Sequence, residues 1–66
     1  MRIFVNSEPV DLAPGSSVAA LLEQLGLAGR RLAVEVNTDV IVRSAHATHL
    51  LQEGDTVEIV HAIGGG

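Results

Sequence analysis

The chain contains no cysteine. That excludes disulfides, thiolate metal sites, iron–sulfur clusters and a cysteine nucleophile. It contains no lysine either, because all four of its cations are arginines. Codon preference explains this without a functional cause, but the chemical consequence is the same: no side-chain amine is present to accept an acyl group. Positive charge is scarce overall, with eight acids against those four arginines and a net charge of −4. Nucleic-acid binding rests on clustered cations that neutralise phosphates, so neither nucleic acid nor an anionic membrane surface is an expected partner. The longest apolar runs, Val18–Leu22 and Val40–Val42, are far below the roughly 20 residues of a membrane span. The opening Met1-Arg2-Ile3-Phe4-Val5-Asn6 has no secretory apolar region. A soluble, cytoplasmic protein is expected. Phe4 is the single aromatic residue, so the core must be aliphatic.

What is present suffices for one small domain. The 66 residues are 47% hydrophobic and rich in Val, Leu and Ile. A chain of this length buries only about 60% of its unfolded surface. With no disulfide available, packing alone must hold it.

Arg2 to Asn6 alternates, with Ile3 and Val5 on one side and Phe4 on the other, the pattern of a half-buried strand. Ser7-Glu8 is read as a tight turn and Pro9 to Leu12 as a second short strand, giving a hairpin. Ala13-Pro14-Gly15-Ser16 is a loop. Val18, Leu21, Leu22 and Leu25 then form one apolar helical stripe, capped by Ser17 and ended by Gly26. Arg31 to Val36 is a third strand, Asn37-Thr38-Asp39 a turn and Val40 to Val42 a fourth strand. Ser44 to Leu51 lacks a period and reads as irregular with room for one helical turn. Glu53-Gly54-Asp55 turns the chain into a last strand, Thr56 to Val60, with Val57 and Ile59 inward. One helix on one mixed sheet makes a two-layer α+β domain. The first and last strands are expected side by side and parallel, since a helical crossover lies between them.

No catalytic constellation emerges. His46 and His49 stand at i, i+3 without a third ligand at a motif distance, and His61 is isolated, so all three histidines read as solvated side chains. Ser17 is explained by its capping role. The acids are dispersed. Gly15-Ser16-Ser17 lacks the lysine and glycine spacing of a phosphate loop.

The chain end differs from chance. Three consecutive glycines at one chosen place occur about three times in ten thousand at average composition. Gly64, Gly65 and Gly66 cannot pack, let backbone enter a channel too narrow for a side chain, and leave a terminal carboxylate unhindered. Joined to AMP as a mixed anhydride, that carboxylate becomes an acyl donor. Residues 1–63 are therefore read as the folded body and 64–66 as a flexible tail. The tail is activated by partners, and the chain itself is not an enzyme.

Several segments in order carry a resemblance: Met1-Arg2-Ile3-Phe4-Val5, the capped Val18/Leu21/Leu22/Leu25 helix, Ala33-Val34-Glu35-Val36-Asn37, Val42-Arg43-Ser44, Gly54-Asp55-Thr56-Val57-Glu58-Ile59-Val60 and Gly65-Gly66. Together they resemble the ubiquitin-like β-grasp sulfur carriers of the ThiS/MoaD family, and within it the thiamine-biosynthesis branch. The resemblance covers the whole chain. It implies a β-grasp fold, a mixed four- to five-stranded sheet on one helix. It implies that an E1-like adenylyltransferase (ThiF) uses ATP to adenylate the carboxylate of Gly66, and that no cofactor is bound to the carrier itself. A sulfur donor system, a cysteine desulfurase or sulfurtransferase, then yields a thiocarboxylate. Gly64 and Gly65 enter thiazole synthase (ThiG), which takes the sulfur. The free carrier is expected as a monomer.

The sequence departs from the family in two places. His46 stands near a position where relatives often carry an aromatic residue, and the tail has three glycines where two are usual. The molybdopterin-synthase small subunit is a second reading, weakened by the absence of proline in His61-Ala62-Ile63. A non-covalent β-grasp interaction module, its glycine tail without chemical use, is a third. For docking, Phe4, Val60 and Val40 are expected to face outward and form an apolar patch, with Phe4 and Val60 clustered on neighbouring strands.

Overall fold

The computed structural model describes residues 1–61. Its elements are β1 (Arg2–Val5), β2 (Glu8–Asp11), α1 (Val18–Gln24), β3 (Leu32–Val36), β4 (Asp39–Val40), a 3-10 turn (Arg43–Ala45) and β5 (Thr56–His61). The strands form one five-stranded sheet in the order β2-β1-β5-β3-β4. β1 and β5 are parallel, while the β1–β2, β3–β4 and β3–β5 pairs are antiparallel. This is the mixed sheet on one helix anticipated from the sequence, with its first and last strands adjacent.

The alternation of each strand places its apolar set against the helix. Ile3 and Val5, Val34 and Val36, and Val57 and Ile59 are buried together with Val18, Leu21 and Leu22 of α1 and with Leu12 and Leu51. Every one of these side chains is aliphatic. Phe4 lies on the other face, 40% exposed.

Helix α1 has seven residues, too short to persist without its ends being satisfied and its face packed. The hydroxyl of Ser17 accepts from the Ala20 amide at 3.0 Å. The two amides before it are served from far along the chain: Val18 donates to the His49 carbonyl and Ala19 to the His46 carbonyl. The segment read as irregular is thus a strap over the helix start, secured further by the Leu51 amide donating to the Ser16 carbonyl. At the other end Gly26 adopts φ +73. Its amide donates to Glu23 and that of Leu27 to Leu22, the paired bonds of a Schellman motif, which requires the left-handed conformation glycine tolerates.

Both hairpins turn on an asparagine, one residue earlier than the sequence reading for the first. Asn6 and Ser7 (φ 48 and 72) and Asn37 and Thr38 (φ 50 and 74) occupy the two central positions, the twist-matched turn that demands positive φ twice. Asparagine tolerates that region because its short amide bonds locally. Here the amides also reach across to β5. Asn6 Oδ1 accepts from the Ile59 amide at 2.8 Å and its Nδ2 donates to the Ile59 carbonyl at 3.2 Å. Asn37 Oδ1 accepts from the Thr56 amide at 3.0 Å and its Nδ2 donates to Asp55 Oδ1 at 3.0 Å. Asn6 thereby continues the ladder where β1 has ended. Asn6→Gly keeps the turn but removes two bonds to β5, so we expect a loss of about 1–2 kcal/mol in urea unfolding. An unchanged midpoint would show the clamp to be without energetic consequence.

At the far end of the first hairpin, Arg2 Nε donates to Asp11 Oδ1 at 3.0 Å. The hydrogen bond first, and the guanidinium charge second, hold the Asp11 carboxyl below its ordinary range. That contribution is present above the ordinary carboxylate pKa and disappears as pH falls through the lowered value. Full solvent exposure keeps it small.

Candidate functional site: the stem of the C-terminal tail and the outer sheet face

β5 carries the chain out of the domain from the middle of the sheet. Thr56 and Val57 are paired to Phe4 and Val5 on one side. On the other side the ladder with β3 runs from Val36↔Val57 to Leu32↔His61, the last described residue. Past Val57 the side towards β1 is held by the Asn6 amide. The stem of whatever follows is therefore fixed on both flanks. Sequence reading found the strand but not its clamp, although an Asn one residue before Ser7-Glu8 was the available signal. Gly64, Gly65 and Gly66, expected to form the tail, lie outside the described residues.

The three residues expected to form a docking patch all lie on the outer face of the sheet: Phe4 40%, Val60 56% and Val40 65% exposed. The register does not bring them together. Phe4 stands beside Thr56, four residues along β5 from Val60, or about 13 Å at strand rise. Between them runs a row formed by Glu58, Glu35 opposite it, and Val40 opposite Glu35. Val60 is paired with Ala33 one row further out. The face is consequently two apolar spots separated by two carboxylates, not one cluster. Like charges directly opposite on neighbouring strands destabilise a sheet. The Glu35–Glu58 pair is an unfavourable element that a cation from outside would relieve.

The histidines form no site with one another. The Nε2 of His46 is 3.0 Å from the carbonyl oxygen of Ile41, which ties the strap to the strand region. Among the described residues no group of three or more His, Asp or Glu is placed to hold a metal ion, and no helix is long and apolar enough to cross a membrane.

The profile of the ThiS family matches residues 2–66. The chain is 33% identical to the sulfur carrier protein ThiS of Escherichia coli over 66 residues, covering 100% of both chains. It is 42% identical to a protein named thiazole synthase from Magnetococcus marinus, where 100% of this chain matches 20% of that one. A second thiazole synthase, from Paramagnetospirillum magneticum, is 38% identical with the same coverage. The chain thus spans about a fifth of the length of those two curated relatives. Among solved structures, the crystal structure of the thiamine biosynthesis protein ThiS from Geobacter metallireducens superposes with a TM-score of 0.86 at 33% identity, covering 100% of both chains.

Proposed function

The chain belongs to the ThiS family, and on that premise we propose that it is a sulfur carrier in thiamine biosynthesis whose cargo rides on the carboxylate of Gly66. It is acted on by enzymes and is not one itself. A carboxylate oxygen attacks the α-phosphorus of ATP on an E1-like adenylyltransferase, and pyrophosphate leaves. Sulfur at the oxidation level of sulfide, from a cysteine desulfurase or sulfurtransferase system, attacks the acyl carbon. AMP departs with the bonding pair and a thiocarboxylate remains. Gly64, Gly65 and Gly66 then enter thiazole synthase, which takes the sulfur, and the carboxylate is regenerated.

The observation that carries this reading is the match to the Escherichia coli carrier over 100% of both chains. The two relatives named thiazole synthase, each matched by the whole of this chain over 20% of its length, support the choice of sulfur acceptor. The geometry supports a carrier's division of labour. A rigid stem ends at His61, paired to Leu32, and five residues extended beyond it span at most about 17 Å. That is a reach suited to an enclosed active site. Residues 1–63 as body and 64–66 as tail remain the proposed division.

The outer sheet face is the proposed platform. Phe4, Val60 and Val40 supply apolar contacts, and Glu35 and Glu58 attract an Arg or Lys of the enzyme. Val60→Asp adds a third carboxylate and removes an apolar contact, so it is expected to weaken titrated affinity for the adenylyltransferase at least tenfold. Phe4→Ala is expected to weaken it severalfold. Both residues are exposed, so both variants should stay folded. Affinities equal to the parent's would remove this face from the account. The carrier chemistry itself is tested by the mass of the chain after incubation with ATP, sulfur source and adenylyltransferase.

A further inference from the structure

The helix side of the molecule has an opposite electrical character. A half-open cleft of about 320 Å³ lies between α1, the connection before β3 and the 3-10 strap, lined by Ala19, Leu22, Glu23, Ala28, Gly29, Arg30, Leu32, Arg43, His46 and Ala47. Its volume is at the small end of the roughly 300–1,000 Å³ typical of ligand pockets. The floor is aliphatic, made by Ala19, Leu22 and Leu32. Two of the four arginines stand on its rim, with Glu23 the single acid. Among the described residues neither Arg30 nor Arg43 forms an ion pair, whereas Arg2 is engaged by Asp11. A chain of net charge −4 has thus gathered positive charge around one apolar depression. Leu32, in its floor, is the register partner of His61, so the cleft adjoins the stem of the tail.

We propose that this cleft is a second docking site, which takes an apolar side chain flanked by carboxylates from a protein that receives the tail. The apolar side chain covers Leu22 and Leu32, and the carboxylates meet Arg30 and Arg43. The charge pattern selects an acidic segment, and the aliphatic floor selects an apolar anchor within it. This surface is separate from the acidic sheet face, so a carrier that must visit an activating enzyme and a sulfur acceptor has two differently charged handles. The choice of enzymes rests on the carrier reading above.

The test is titration of the full chain, as parent and as Arg30→Glu/Arg43→Glu, against the adenylyltransferase and against thiazole synthase. Arg30→Gln/Arg43→Gln serves as a neutral control, and thermal unfolding verifies that these exposed replacements leave the fold intact. We expect the reversal to weaken binding to at least one of the two enzymes tenfold or more. The neutral pair should weaken it less, and the parent's affinity should fall as salt rises. Parent-like affinity of the reversal variant for both enzymes would overturn the proposal. So would inorganic phosphate shifting the Arg30, Arg43 and His46 amide resonances while enzyme affinity stays unchanged, which marks a small-anion site. A parent dimer dissolved by the reversal would also overturn it, since the occupant would then be a second copy. A parent that binds neither enzyme takes down the carrier reading together with the cleft. A parent that binds both, alongside a variant that binds equally well, removes the cleft alone.

Discussion

Deleting Gly65 and Gly66 should abolish ATP-dependent activation, a loss of at least a hundredfold and down to the detection limit, while leaving unfolding unchanged. The shortened chain still ends in a glycine carboxylate, at Gly64, so the chemistry of the terminus is conserved and only its position changes. Two residues shorten the reach by about 7 Å. Misplacement of a reacting group by as little as 1 Å costs about a hundredfold, and the stem cannot extend to compensate. β5 is held by β3 up to His61 and by Asn6 at Ile59. Advancing the tail would mean breaking that ladder or undocking the sheet face. The measurement is pyrophosphate release with the adenylyltransferase and ATP. Parent-like release from the shortened chain would show that arm length is not what the enzyme reads. A shifted unfolding midpoint would show that the last two glycines belong to the folded body.

The second large effect concerns the body. Leu21 is fully buried, on the helix face that closes over Ile3, Val34 and Val57. Leu→Ala at such sites costs about 3–5 kcal/mol, by lost transfer energy and by the cavity left behind. A domain under about 70 residues with neither disulfide nor metal rarely has more than about 3–5 kcal/mol in total. Leu21→Ala should therefore leave a large unfolded fraction at 37 °C, visible as lost far-UV circular dichroism and a collapsed urea midpoint. A loss below about 1 kcal/mol would mean that the aliphatic core repacks around the gap and does not depend on this helix contact.

The two predictions separate the parts of the molecule that were legible in the sequence from those that were not. Alternation in Arg2–Val5 and Thr56–His61 identified the two central strands, because a sheet with one buried face imposes a period of two. Ser17 and Gly26 marked the helix ends, because capping and a left-handed stop need particular side chains. The parallel pairing of β1 with β5 followed from the helix between them.

What stayed hidden depends on register and on contacts between distant segments. The first hairpin turns at Asn6-Ser7, not Ser7-Glu8, since Asn6 looks like one more strand residue until its amide is seen bonded to Ile59. The aperiodic stretch around His46 and His49 lends carbonyls to the first turn of α1, and carbonyls have no sequence signature. Alternation could place Phe4 and Val60 on one face but could not show Thr56, rather than Val60, beside Phe4. The cleft unites residues from α1, the connection before β3, β3 itself and the strap, so only the folded chain displays it.

Intact-mass spectrometry of the protein after incubation with the cognate adenylyltransferase, ATP and a sulfur source bears most directly on the carrier account. Exchange of one carboxylate oxygen for sulfur at an unhindered chain end adds about 16 Da. The account expects that increment, located on Gly66 by fragmentation, dependent on ATP, and absent when the terminal carboxylate is blocked as an amide. An unchanged mass under complete conditions, or an increment that survives the amide, would contradict it.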